Sequence, residues 1–194
     1  LGLIEALRAT RSDKSYLELV HRIDRDTSGC LVVAKKRSAL RFLQDEMRAR
    51  RILKVYYALA SGRWPRGRRR IDAPLLASEQ KSGEKIVRVD SEGKSSVTVF
   101  SVVQRFDNAT LMEATLETGR THQIRVHAQY VGCSLAGDVK YGSDDYNDDA
   151  RRLGLGRMFL HALKIQFFSP CGKKILIEAP IPPELSRYLQ KLDH

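Results

Sequence analysis

His21-Arg22-Ile23-Asp24-Arg25-Asp26-Thr27-Ser28-Gly29 is the densest stretch of chemistry in this chain. Two apolar runs bound it, at 16–20 and 30–34, and each reads as a strand. Asp26-Thr27-Ser28-Gly29 is good turn material, with Asp26 able to cap it. Asp24 is different, because it lies between Arg22 and Arg25 in a segment bounded by core strands. Guanidinium neighbours favour the charged form of a carboxylate. A charged carboxylate is what nucleophilic attack on a sugar or an electron-poor ring requires.

On the C-terminal side, Ser38 reads as an N-cap and Leu40, Leu43 and Met47 as a helical stripe. That helix runs into Arg48-Ala49-Arg50-Arg51, whose cations suit a helix C-terminus. Strands are expected at 54–61, 85–89, 95–104, 109–117 and 174–179, with a hairpin around Asp107-Asn108. Thr121 can cap a helix whose Ile124, Ala128 and Val131 share a face. Short helices are expected at 3–9 and 183–192, and a polar loop at 144–156. Many strands, few helices and no regular alternation predict an α+β fold with a largely antiparallel sheet.

Composition limits the partners. The 194 residues carry 34 Lys and Arg against 23 Asp and Glu, a net charge of +11. A balance that basic favours a polyanion such as nucleic acid or an anionic membrane surface. With a mean hydropathy of -0.36, no apolar run approaches the ~20 residues of a membrane helix. Cys30, Cys133 and Cys171 are widely spaced and odd in number, which argues against a disulfide framework or zinc knuckle and suits a reducing cytoplasm. The aspartates at 144–149 lack the order of a calcium loop, so no metal is expected there. The start is amphipathic and carries Glu5, unlike a secretory signal, and the first Met is Met47, so a longer parent chain is expected.

Two further segments bear on Asp24. In Gly119-Arg120-Thr121-His122-Gln123-Ile124-Arg125-Val126-His127, His122 and His127 are five apart and point roughly 140° away from each other on a helix, unsuitable for one metal. Arg120 fits an exposed face. Arg125 lies nearer the core stripe and needs a buried anion, for which Asp24 is the candidate. In Lys54-Val55-Tyr56-Tyr57-Ala58, the two tyrosines face opposite ways on a strand, so one can present its ring to a flat ligand.

Together these segments resemble the RluA-type pseudouridine synthases. Residues 21–29 look like that family's active-site motif, 54–58 its tyrosine-bearing strand and 119–127 its arginine motif. Gly137-Asp138-Val139-Lys140-Tyr141-Gly142 and Phe159-Leu160-His161-Ala162 follow in the family's order. The resemblance runs from about Leu17 to Pro180. Ile23 and Cys30 are mild departures, standing where Leu and an aliphatic residue are usual.

The resemblance implies a pseudouridine synthase fold with a central RNA-binding cleft, residues 1–194 forming the catalytic domain. The S4-type RNA-binding domain that often precedes it is expected to lie outside this sequence. The implied reaction breaks the N1–C1′ bond of a uridine in large-subunit ribosomal RNA, turns the uracil and joins C5 to C1′. It needs no cofactor and no metal. By resemblance Asp24 is the catalytic carboxylate, attacking C1′ or C6 or deprotonating C2′; Arg125 pairs with it; and Tyr56 stacks on the base and helps remove the C5 proton. Leu160 packs against the base, Arg22 fills the space the base vacates, and Arg120 contacts RNA. His21 and His122 orient loops, and Asp26 is structural. The arginine loop at 63–70 and the basic helix end at 48–51 are further phosphate contacts or simple solvated charge. A cytoplasmic monomer without membrane contact is expected. Charge alone would also suit a catalytically silent RNA-binding module, but Asp24, Tyr56 and Arg125 together exceed what binding requires. A carboxylate-dependent glycosidase would want a second, neutral carboxylic acid, and Asp26 is too close in sequence to supply it.

Overall fold

A computed structural model describes residues 2–10, 16–67, 69–80 and 83–192. Arg68 of the arginine loop lies outside the described residues. Among the described residues, five helices and eleven strands follow in the order α1 (Leu3–Ala9), β1 (Glu18–Leu19), β2 (Ser28–Gly29), β3 (Val33–Ala34), α2 (Arg37–Arg48), β4 (Leu53–Ser61), β5 (Arg70–Asp72), β6 (Leu75–Glu79), β7 (Lys85–Val89), β8 (Val97–Arg105), β9 (Ala109–Leu116), α3 (Gln123–Tyr130), α4 (Asp144–Arg152), β10 (Leu160–Phe168), β11 (Lys174–Glu178) and α5 (Pro183–Leu192).

The main sheet has seven strands in the order β11-β10-β4-β9-β8-β5, with β2 added in parallel beside β10. All other pairings in it are antiparallel, which fulfils the α+β expectation. β4 and β9 sit at its centre, registered so that Tyr56 lies opposite Ala114 and Ser61 opposite Ala109. Their small, buried residues Ala58, Ala60, Ala109 and Ala114 let other elements pack closely over the sheet. One core cluster joins α2 and α3 to the sheet through Leu43, Ile124, Ala128, Phe100 and Met112. A second gathers Leu59, Leu111 and Phe159 with Leu185 and Tyr188 of α5.

Several local expectations change. The run at 30–34 is not one strand. Gly29 takes φ +106, and a Cβ there would stand 2.2 Å from the Ala162 carbonyl oxygen, so the chain threads against β10 as β2 just before the run, and only Val33–Ala34 of the run is strand, as β3. The run at 16–20 keeps only two residues as β1, pairing with β3. The polar loop at 144–156 is mostly helix α4. Its acidic first turn and basic last turn complement the helix dipole, Asp148–Arg151 and Asp149–Arg152 pair one turn apart, and Ala150 anchors it in the second core cluster. α2 starts at Arg37, with Lys36 rather than Ser38 in the capping position, and α3 starts after His122, not Thr121. β10 had no expectation at all, because its Lys164 and Gln166 interrupt the apolar pattern, yet it pairs with three strands.

Candidate active site

Every residue singled out for the site lines one cleft: Arg22, Asp24, Tyr56, Arg120, Arg125 and Leu160. They come from five parts of the fold. The loop before β2 carries Arg22 and Asp24, β4 carries Tyr56, the β9–α3 connection carries Arg120 and α3 carries Arg125; the first residue of β10 closes the cleft with Leu160. Tyr56 and Leu160 are buried and Arg22 and Arg120 exposed, so the cleft has an apolar floor and a cationic rim.

The loop is held from below. The Asp24 carbonyl accepts the Thr27 amide at 3.0 Å. Arg157 Nη2 donates to Ser28 Oγ at 2.8 Å and Nη1 to the Asp26 carbonyl at 3.1 Å. Ser28 Oγ also bonds the Nδ1 of buried His161 at 2.8 Å, whose Nε2 reaches the Ala179 carbonyl at 3.0 Å. Asp26 is exposed and contributes through its backbone, in keeping with a structural part. His21 Nε2 accepts the Val32 amide at 3.2 Å. Burial, with the Lys54 charge adding to it, pushes the His21 imidazole down to about 4, so at neutral pH it is an uncharged acceptor.

Arg125 is the centre of the electrostatics. Its side chain is only 10% exposed, and Asp24 is not its main partner. Nε and Nη2 donate to the two oxygens of Asp138 at 2.7 Å each, a bidentate pair with a carboxylate that is 0% exposed. Nη1 is left to reach Asp24 Oδ2 at 3.1 Å. The guanidinium carbon lies 4.8 Å from the centre of the Tyr141 ring. Burial by itself would lower the Arg125 guanidinium, but the hydrogen bonds and charge of Asp138 and the charge of Asp24 outweigh it, and the net displacement is upward. Arg125 is therefore a permanent cation in a fixed orientation.

Asp138 and Tyr141 are site residues that the sequence reading left without a role. Asp138 Oδ1 also accepts the Lys140 and Tyr141 amides at 3.0 and 3.1 Å, and its carbonyl accepts Asn147 Nδ2 at 2.9 Å. The signal was present: a buried guanidinium has more donors than one carboxylate can satisfy, and Gly137–Gly142 offered the second anion. Tyr141 Oη accepts the Val87 amide at 3.0 Å and bonds His122 Nδ1 at 2.7 Å. His122 is not glycine, yet it takes φ +55 at the start of α3. Gln123 pins that turn with four hydrogen bonds, to Thr118, the Arg120 amide, the Val97 carbonyl and Thr98. Burial, with the charge of Asp24 in support, pushes the Tyr56 phenol well above its usual range.

Among the described residues Asp24 Oδ1 has no hydrogen-bond donor, while Oδ2 is held by Arg125. The arrangement is a carboxylate with one oxygen fixed and one available, in a cleft that the neutral Tyr56 phenol also lines. Among the described residues no group of three or more His, Cys, Asp or Glu side chains is placed to hold a metal ion.

The family model for RNA pseudouridylate synthase matches residues 5–130. The chain belongs to the RNA pseudouridylate synthase family. This pseudouridylate synthase chain is 51% identical over 192 residues to the ribosomal large subunit pseudouridine synthase C of Pasteurella multocida (strain Pm70), covering 98% of this chain and 59% of that protein. It is 50% identical over 194 residues to the protein of that name from Escherichia coli (strain K12), covering 98% and 61%. The chain thus spans about three fifths of the length of the curated relatives it matches. Among solved structures, human RNA pseudouridylate synthase domain containing 1 superposes with a TM-score of 0.78 at 27% identity, over 94% of this chain and 75% of that one. Human RNA pseudouridylate synthase domain containing 4 gives 0.77 at 23% identity, over 98% and 82%, and shares the fold.

Proposed function

We propose that residues 1–194 form the catalytic domain of an enzyme that isomerises specific uridines of large-subunit ribosomal RNA to pseudouridine. The observation that carries this reading is the Asp138–Arg125–Asp24 chain ending in one unengaged carboxylate oxygen opposite Tyr56. Binding alone would not require a buried cation clamped to orient an anion. The names of the relatives support ribosomal RNA as the substrate class, and the charge of +11 suits it.

The target uridine leaves its stack to reach Asp24, at a cost of a few kcal/mol. Exposed Arg22 stands at the mouth of the cleft, where a guanidinium plane can replace the extruded base in the stack. Leu160 and the Tyr56 ring then hold the uracil between apolar surfaces. Arg125 keeps Asp24 Oδ2 occupied, so Oδ1 meets the nucleotide. Asp24 assists departure of N1 from C1′; the freed uracil turns, C5 bonds to C1′, the C5 proton is released and N1 takes one up, so the product is an isomer of the substrate. The Tyr56 phenol is neutral in the resting cleft, so its hydroxyl acts as a hydrogen-bonding relay for that proton rather than as a phenolate. No helix among the described residues is long and apolar enough to cross a membrane. A ribosomal RNA substrate implies work in the cytoplasm, and a single chain suffices for the cleft.

Tritium release from ribosomal RNA labelled at uracil C5, lacking its natural modifications, tests the reading. We expect release by the wild type and none by Asp24→Asn, with RNA binding retained. Equal release from both overturns Asp24 as the catalyst. RNA binding by the wild type without any release makes the chain a binding module.

A further inference from the structure

Beside the catalytic cleft lies a second cavity of about 330 Å³, and the two share Lys54, Leu116, Gly119 and Arg120. Arg48, Arg50 and Glu117 also line it. Two of these charges are paired: Arg48 with Asp45, and Glu117 with Arg70 at 3.1 Å, which Asp72 also engages at 2.8 Å. Arg50, Lys54 and Arg120 have no ion-pair partner among the described residues. Arg120 donates only to the Ser95 carbonyl, at 3.2 Å.

Lys54 is the informative one. As the second residue of β4 it is half-buried, and among the described residues its ammonium has no hydrogen-bond acceptor. Burial lowers its basicity with no carboxylate near enough to offset the loss. A desolvated, unpaired ammonium is costly and is relieved by the arrival of an anion. Gly119 keeps the ground before it open, since a Cβ there would stand 2.9 Å from Lys54 Nζ. Arg50, at φ +57, closes the far side where α2 has ended. Its left-handed φ is the normal termination of α2, with the Arg50 and Arg51 amides bonded to the Met47 and Glu46 carbonyls at 3.1 and 2.9 Å.

We propose that this cavity binds a backbone phosphodiester of the RNA adjacent to the extruded uridine, with Lys54 as its principal ligand and Arg50 and Arg120 as flanking cations. The inference rests on the synthase reading for which nucleotide is extruded. A phosphodiester suits three cations that line one cavity without an ion-pair partner among the described residues, and that cavity shares a wall with the cleft that holds Asp24. Lys54 thereby governs how firmly the strand is seated.

The test is the affinity of unmodified large-subunit ribosomal RNA transcript at several KCl concentrations, for the wild type, Lys54→Gln, Lys54→Arg and Gly119→Ala. Single-turnover tritium release at saturating RNA is measured beside it, and thermal unfolding verifies folding. Lys54→Gln should weaken binding roughly tenfold at low salt and lower the slope of log affinity against log salt by about 0.7–0.9, one phosphate contact. Lys54→Arg should restore most of both, and Gly119→Ala, by displacing the ammonium, should reproduce part of the loss. Unchanged affinity and slope in Lys54→Gln overturn the proposal, as does a lost maximal rate with unchanged affinity, which would put Lys54 in the reaction. Wild-type RNA binding that lacks any salt dependence overturns it too. A Lys54-dependent slope without tritium release from the wild type leaves the phosphate site standing and sinks the synthase reading alone.

Discussion

The two ends of β4 and β9 treat positive charge in opposite ways. At one end, beside Tyr56 and Leu116, the Arg125 guanidinium is buried, clamped by Asp138 and aimed at Asp24. At the other end, roughly 20 Å along the strand, exposed Arg63, Arg66 and Arg105 border a groove with Trp64 and Phe106. That groove encloses about 640 Å³ against about 80 Å³ for the cleft that holds Asp24. Volume alone therefore favours the groove, whereas the charge environment favours the cleft. Three mobile arginines in water retain their hydration and entropy, so they attract phosphate without orienting anything. One desolvated arginine with a bidentate partner is rigid, and rigidity is what an oriented carboxylate requires. The groove's aromatics are also spoken for: Trp64 is buried against Phe100 at 4.5 Å and cannot stack on a base.

The contrast breaks most visibly at Asp138. Asp138→Asn removes the charge that holds Arg125 in the core, and should cost about 3–5 kcal/mol in urea unfolding. Turnover should fall at least a hundredfold, since Asp24 loses its oriented partner. If the variant is as stable and active as the wild type, rigid clamping is not what distinguishes the two ends. Tyr56→Phe keeps the ring and removes the relay, so tritium release should drop by roughly 10²–10⁴ while the unfolding midpoint moves little.

His21 supplies a pH test of the buried end. Its imidazole titrates near 6.5 in the unfolded chain and near 4 when folded. Between those values the unfolded chain binds more protons, so the contribution is complete above pH 6.5 and is lost as pH falls toward 4. The wild type should lose roughly 2–3 kcal/mol more over that window than His21→Gln, measured by denaturant unfolding at successive pH values. Smallest of all, Arg63→Gln, Arg66→Gln and Arg105→Gln should each leave stability within about 0.5 kcal/mol. Maximal turnover should be unchanged, and any effect should appear in the salt dependence of RNA binding. A large loss of maximal rate in any of the three would give the distant groove a part in the chemistry.

Legibility in the sequence followed the range of the interaction. Helices α1 and α5 and the β8–β9 hairpin were readable because their stripes and turn residues are local. α4 was misread because acidic and polar residues resemble a loop until dipole complementarity and one buried face are weighed. β10 was missed because a strand paired on both sides need not alternate regularly. At the site, Asp24, Tyr56 and Arg125 were legible as residue types in ordered motifs, and one cleft gathers them. Asp138 had been noticed only as part of a motif. Nothing in the spacing of residues 125 and 138 says that the later residue, and not Asp24, takes two of the guanidinium's nitrogens.

The sequence by itself determined the α+β class, the basic balance and the order of the functional motifs, because these depend on composition, periodicity and side-chain chemistry along the chain. Only the tertiary structure decided that Arg125 shares its donors between Asp138 and Asp24, that Lys54 stands half-buried with no ion-pair partner among the described residues, and that a groove larger than the cleft lies at the other end of the strands. Each of these depends on which charges lose their water when distant segments meet, a quantity that packing sets and local sequence does not encode.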